Sequence, residues 1–597
     1  MSRFVIDPDG QRLGLARDWE LGAVMKRIGI VLATTVGLAG LAHAADLPTT
    51  KGPLPAPAPN CYASFWTWLN SSASDCPLSY YGITLYGTLD VNYGYEDWGA
   101  PRSASADKLQ YGIRSNAYEH IWQAGYNGLS TNAVGLKMKE DLSGLGLPGW
   151  SLVGVLEAGI NPYNGMFFNG PRSLADVNTT NNTGLVTING KNYYYQFQKT
   201  NLDSSRAGQW DNSQGYLGIS SPTWGTLTFG RTNSLTYDSQ AGYDPMAGSP
   251  AFSLLGFSSS FAGYGDTEIV RINTALTYKL AIQNVAGIFN TVRLAGQAQI
   301  GGYGVGNGSM DHYEGQVGFD WGNFSFDGIF SYGKDEVSLS TFNGGNLGQC
   351  APLIGPYDPW FTKVNGVCYN PNDVLKATLA NNFGTELMAS YKWDRFKFYG
   401  GYLYSRSSNP SDDFSGGFQT MYPGIFVPPT SVTSGAYLLA NDTLNTPGFA
   451  VNKILQTVWT GTKYSVPDDW LHGWGALDLS AAFYWQTQNN YNFGWVTGNI
   501  KGVPYGYATA AACTGTGAFI SSSKCSGSQD GIAFLADWRP VKRVDIYAGI
   551  MLTNVYGGLA NGYFSTLPVI VKGKVVTSYN DAHTQSYDPT IGIRIRF

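Results

Sequence analysis

The chain has 597 residues, a net charge of −5 and only 13% charged residues, which excludes a nucleic-acid binder resting on a basic patch. A bundle of membrane helices needs apolar runs of about 20 residues, and the one long apolar run here, Ile28–Ala42, falls short. Seventy-six Gly, 39 Tyr and 17 Trp instead describe short alternating strands joined by turns.

The amino terminus reads as an export signal. Lys26 and Arg27 form a basic n-region, Ile28 to Leu41 an apolar h-region, and Ala42-His43-Ala44 a small-x-small cleavage site. Met25 directly precedes the basic pair, so residues 1–24 are expected to be an over-called start. Residues 1–44 are then the signal peptide, cut after Ala44.

Residues 45–79 lack strand patterning. Pro53-Leu-Pro-Ala-Pro-Ala-Pro59 predicts an extended spacer. Cys61 to Cys76, with Phe65, Trp66, Trp68 and Leu69 between them, predicts a small stapled helical turn. The whole segment is expected to be a proline-rich periplasmic extension. The six cysteines leave many connectivities open. An oxidising compartment and short loops favour the local pairs Cys61–Cys76, Cys350–Cys368 and Cys513–Cys525. No pair has metal-site spacing, so neither metal nor cofactor is expected.

Residues 80–597 carry sixteen alternating segments, beginning with Tyr81–Tyr95, Thr131–Glu140 and Ser151–Ile160 and ending with Tyr587–Phe597. Short turns such as Pro222–Gly225 and Asp394 alternate strictly with long connections. The faces are chemically distinct. Tyr313, Val317, Phe319 and Trp321 oppose His312, Glu314, Gln316 and Asp320; Ile591, Ile593, Ile595 and Phe597 oppose Arg594 and Arg596. Two arginines in a soluble core would need buried partners, whereas a barrel wall offers lipid on one side and water on the other. The expected fold is all-β: a sixteen-stranded antiparallel transmembrane β-barrel with long extracellular loops and short periplasmic turns. A barrel that wide leaves a water-filled hole.

Several stretches resemble the Gram-negative general-diffusion porins, a family of sixteen-stranded trimeric outer-membrane proteins. Ile83-Thr-Leu-Tyr-Gly-Thr-Leu-Asp90 is similar to their first strand, and Gly135-Leu-Lys-Met-Lys-Glu-Asp-Leu142 with Leu156-Glu-Ala-Gly159 to the next hairpin. Gly225-Thr-Leu-Thr-Phe-Gly-Arg-Thr232 and Arg271-Ile-Asn-Thr-Ala-Leu-Thr-Tyr278 resemble the strands that flank their third loop. Gly592-Ile-Arg-Ile-Arg-Phe597 resembles their last strand, whose terminal aromatic is read by the barrel-assembly machinery.

The resemblance implies an inward-folded third loop, here Asn233–Thr267, that narrows the barrel to an eyelet. It implies wall arginines at Arg231 and Arg271, facing loop acids Asp238, Asp244, Asp266 and Glu268. Parity places Arg271 inward, whereas Arg231 shares parity with lipid-facing Leu227 and Phe229 and needs a bulge to turn. Lys137 and Lys139 point inward, and Arg594 and Arg596 are expected as lumen charges near the periplasmic mouth. This chain departs from the family pattern at Pro250-Ala251-Phe252, which lacks an acid, and at Ala133 and Thr88, which lack a basic group.

The implied function is passive diffusion of small hydrophilic solutes and ions, with outer-membrane lipid and lipopolysaccharide as surroundings and a homotrimer as assembly. His120, His312, His472 and His583 show no serine and acid arrangement of hydrolytic type, so no enzyme is expected. A channel specific for sugars or anions is the alternative, suggested by Tyr193-Tyr-Tyr195 and Trp210.

Overall fold

Strands that are apolar on one face and polar on the other can bury both faces suitably by closing on themselves in a membrane, which leaves no open edge. The computed structural model has that arrangement. Its sixteen long strands are β1 (Ile83–Glu96), β2 (Ala133–Asp141), β3 (Ser151–Gly159), β4 (Gln214–Ser221), β5 (Gly225–Asn233), β6 (Arg271–Val285), β7 (Phe289–Gln299) and β8 (His312–Trp321). They continue as β9 (Phe324–Ser340), β10 (Val374–Trp393), β11 (Phe396–Ser408), β12 (Lys453–Ser465), β13 (Ala476–Gln488), β14 (Gly527–Val541), β15 (Val544–Gly557) and β16 (His583–Arg596). Each pairs antiparallel with its sequence neighbours. The ring closes where Thr88 of β1 faces Arg596 of β16 and Gly94 faces Thr590. Phe597 and Gly87 exchange both backbone hydrogen bonds at 2.9 Å, so the terminal residue is part of the seam.

The structure describes residues 61–96, 121–163, 165, 167, 183–188, 191–196, 198–200, 213–257, 271–300, 312–340, 374–408, 424–426, 437–439, 451–467, 469–491, 495–500, 503–508, 526–557, 570–571, 574–575 and 583–597. Cys350, Cys368, Cys513, Cys525, Trp210, Asp266 and Glu268 lie outside them. Residues 193–195 fall in the strand Lys191–Gln196 of a hairpin within the second long connection.

All sixteen expected segments are barrel strands. The largest difference is β10, which starts at Val374 rather than Thr385. Its first residues continue the backbone ladder with Lys334–Ser340 of β9, and such pairing needs no apolar alternation. Short turns and long connections alternate around the ring as expected. The outward face is exposed and apolar, with Leu227, Phe229, Val317, Leu387, Phe483, Ile591 and Ile593 on it. Trp321, Tyr391 and Trp393, also exposed, stand by the short turns, where an interfacial girdle belongs.

One boundary moves. Residues 78–80, expected to lack strand structure, pair with β1, Leu78 opposite Leu85 and Tyr80 opposite Ile83. The linking residues Tyr81 and Gly82 both take positive φ, 46° and 72°, the geometry of a tight hairpin turn. The compact unit accordingly runs from Asn60 to Phe597. Upstream, the Cys61–Cys76 disulfide is formed, with Cα atoms 5.5 Å apart. It encloses α1 (Phe65–Leu69), capped by the Ser64 hydroxyl, which accepts from the Thr67 amide.

That stapled loop is seated on the turn between β14 and β15. Arg543 is 1% exposed and donates to three carbonyls of the loop: Trp68 at 2.9 Å, Ser72 at 3.1 Å and Cys76 at 2.6 Å. Its guanidinium also lies over the Trp68 ring, 4.4 Å from the centroid. A single side chain thus ties three carbonyls of the stapled loop to the β14–β15 turn.

Candidate constriction site

The third long connection returns into the barrel. After β5 the chain forms α2 (Leu235–Tyr243), with Ser234 as its N-cap, and then α3 (Leu254–Phe257). Wall side chains hold α2 along its length. Glu314 of β8 accepts from the Leu235 amide and, at 2.9 Å, from the Thr236 hydroxyl. Gln316 donates to Ser239 at 2.8 Å, and Gln240 donates to Glu386 of β10 at 2.5 Å. At the far end Trp459 of β12 donates its indole N–H to the Tyr243 carbonyl at 3.0 Å. The Trp459 ring lies so close over Gly401 of β11 that a Cβ there would stand 2.0 Å from it, so only glycine fits.

Beyond α2 the loop makes an apolar seat. Met246, Phe252, Leu254 and Leu255 are at most 2% exposed and cluster with Ile329, Met388, Leu403, Trp459, Tyr484, Leu535 and Met551 from β9 to β15. These wall residues point inward. Sequence parity treated that face as wholly wet, and it missed that half of it is a hydrophobic core covered by the loop. The available signal was single large apolar residues at inward positions of the later strands, such as Ile329, Met388, Leu403 and Trp459, set among polar ones.

A second inward element completes the seat. The strand opposite the outer half of β1, Ile121–Tyr126, is separated from β2 by Asn127-Gly-Leu-Ser-Thr-Asn132, which leaves the wall. Asp90 of β1 anchors it, accepting from the Leu129 amide at 2.7 Å, the Ser130 amide at 3.0 Å and the Tyr547 hydroxyl at 2.6 Å. Gly128 in turn accepts from Ser249 and Ala251 of the third loop, at 2.6 Å and 3.1 Å. No pattern in the sequence marked this excursion.

The expected site residues divide. Arg271 is 3% exposed, donates to the Ser213 hydroxyl at 3.1 Å and lies 5.5 Å from the Tyr237 ring of α2. Ser213 donates onward to Glu157 of β3, which also accepts from Tyr86 of β1 at 2.8 Å, and Lys137 sits over that tyrosine ring at 5.6 Å. Arg231 is 4% exposed and donates to Asn273 at 2.8 Å, beside a register shift whose extra residue lies on β6 at Asn273–Thr274, where Thr274 takes φ 50°. Lys139 is exposed on the same face of β2 as Lys137.

The acids behave differently from one another. Asp238 is paired with Lys279 of β6, a partner the sequence reading passed over although it shares parity with Arg271. Asp244 is buried and structural: it accepts from Tyr484 at 2.6 Å and from the Gly248 amide at 2.7 Å. Burial pushes its carboxyl above the usual range, against those hydrogen bonds, which pull it down. Arg594 and Arg596 do face inward, but both clamp Asp545 of β15, at 2.9 Å and 3.0 Å, and are not free lumen charges. Sequence reasoning also missed Arg293 of β7, which bridges Asp320 at 2.6 Å and Asp327 at 3.1 Å beneath Tyr243.

Taken together, the lumen is asymmetric. The third loop covers the wall of β9 to β15, and α2 meets the wall of β6 through Asp238 and Lys279, with Tyr237 beside Arg271. Charged groups of both signs surround α2, and among the described residues no group of three His, Cys, Asp or Glu could hold a metal ion.

The sequence profile of a family described as "Gram-negative porin" matches residues 30–422. No curated protein matches the chain. Among solved structures, the anion-selective porin of Comamonas acidovorans is 16% identical, with 86% of this chain and 99% of that one covered and a TM-score of 0.43. OmpT of Vibrio cholerae is 10% identical over 86% and 99%, with a TM-score of 0.38. OprB of Pseudomonas putida is 10% identical over 86% and 94%, also at 0.38.

Proposed function

Since the chain belongs to the Gram-negative porin family and forms an outer-membrane diffusion channel, we propose that its selectivity is set where α2 faces the wall of β1 to β6. The observation that carries this reading is the contact between loop and wall charges, Lys279 with Asp238, both partly exposed to solvent, beside the buried Arg271 network. Opposed charges fixed on loop and wall beside an aqueous path set a local field, which sorts solutes by charge without binding them tightly. The permeants are small hydrophilic solutes and ions, and passage involves no chemical step.

Several features follow the same reading. Residues 1–44 direct export and are removed after Ala44. The short turns and the stapled segment lie on the periplasmic side, the long connections outside. Phe597, seated in the closing seam, presents the terminal aromatic to the assembly machinery. A homotrimer forms through the wall of β1 to β3 and β16, whose outward side exposes Leu85, Tyr93, Leu136, Leu156 and Ile591. The wet conductance of the purified protein in planar bilayers, measured with neutral solutes of graded size, tests the reading. A large ohmic conductance that falls once the solute fits inside supports it, and a correctly folded sample without channels refutes it.

A further inference from the structure

Like charges placed directly opposite one another on neighbouring strands are destabilising. Three lysines break that rule in one row: Lys392 of β10 faces Lys397 of β11, and Lys397 faces Lys463 of β12. Cross-strand Cβ atoms stand about 5 Å apart, so three ammonium groups share one short stretch of wall. Parity puts them in the lumen. Their neighbours Tyr391, Trp393, Phe396 and Phe398 are exposed on the outer face, while Tyr399 and Trp459, of the same parity as the lysines, are buried inside.

The row lies just inside the short turns, beneath the third loop. Lys397 reaches up to the Gly242 carbonyl near the C-terminal end of α2, at 3.4 Å, where a cation is favoured. Of the nearby carboxylates three are already bridged, and Asp394, in the turn between β10 and β11, is exposed with no ion pair joining it to the row. Asp320 and Asp327 are bridged by Arg293, and Asp478 by Arg539 at 2.6 Å. Lys397 is partly compensated by Gly242 and by the Tyr399 ring 4.7 Å away, but three like charges held in one row on the lumen face remain a local conflict of the kind that functional sites carry.

We propose that Lys392, Lys397 and Lys463 form a low-affinity site for small oxyanions, inorganic phosphate among them, on the lumen wall below the constriction. The site rests on the channel reading above and adds a resting place for anions to it. It concentrates multivalent anions at the short-turn mouth, and it holds them loosely, still hydrated, by flexible ammonium groups rather than in a rigid bidentate grip.

The test titrates inorganic phosphate into potassium chloride at constant ionic strength, on single channels of the full-length mature protein. The wild type is expected to lose chloride current in a saturable way, more strongly when phosphate enters from the short-turn side. In the triple variant K392Q/K397Q/K463Q the phosphate concentration for half-block should rise on the order of tenfold, and the triple arginine variant should keep the effect. If the triple glutamine variant fails to fold, K392Q and K463Q alone leave the Lys397 contact with α2 intact and should each weaken the block. A conducting wild type without saturable phosphate block, or glutamine variants as sensitive as wild type, overturns the site. Absence of conductance in the wild type itself would instead strike at the channel reading.

Discussion

Lys279 on β6 reaches the carboxylate of Asp238 on α2, so the acid expected to face the wall arginines is engaged by a wall lysine instead. Both side chains keep substantial contact with solvent, about 45% and 35% exposed, so the pair contributes little to stability, roughly 0–1 kcal/mol. Its importance is where it sits.

Lys279→Gln should leave the Asp238 carboxylate without its cation and move the zero-current potential in a salt gradient toward cations. Asp238→Asn should move it toward anions. The double variant should return close to wild type, since the opposed changes cancel. Identical potentials in all four proteins would remove this pair from the selectivity machinery.

Arg271→Gln is expected to shift the same potential toward cations. Removing a buried guanidinium also leaves Ser213 and Glu157 without their cation. Adding Glu157→Gln should therefore recover thermal stability lost by the single variant while restoring part of the selectivity. An unchanged reversal potential for Arg271→Gln would show that this network is structural only.

Phe252 is fully buried, edge-on to Tyr547 with ring centroids 6.1 Å apart. Phe252→Ala empties the seat of the third loop, at a local cost of about 3–5 kcal/mol. The barrel, held by its own backbone ladder, should still fold and show heat-modifiable mobility on gels. Single-channel records should become larger and noisier as the loop leaves the wall, and records indistinguishable from wild type would mean that the loop does not limit conductance.

Arg543→Ala removes the three carbonyl contacts and the ring contact that dock the stapled segment. Limited proteolysis should then cut within residues 61–76 much faster, and faster still after Cys61→Ser/Cys76→Ser, because a 15-residue closure is worth about 3 kcal/mol. Conductance should be unaffected, and slow cleavage in both variants would show that β1 alone holds the segment in place.

How much could be read in advance depended on how local the physics is. The alternation of Ile591, Ile593 and Ile595 with Arg594 and Arg596 is a property of neighbouring residues in an extended chain, and it determines two faces before any partner is known. Repeated sixteen times with short and long connections alternating, it determines the barrel, the seam and the width of the hole. The Cys61–Cys76 closure is equally local.

What the tertiary structure alone decided are pairings between side chains far apart in sequence. Parity can say that Asp238, Lys279 and Arg594 face inward; it cannot say that Asp238 takes Lys279 or that Arg594 and Arg596 are spent on Asp545, because those choices depend on strand register and on where the loop lands. The same holds for the apolar half of the lumen and for the excursion at Asn127–Asn132, which exist only because a loop folds back to cover them. The lysine row is the sharpest case: three residues spread over 72 positions become neighbours through two strand registers, since a ladder converts backbone hydrogen bonding into side-chain proximity that no single strand contains.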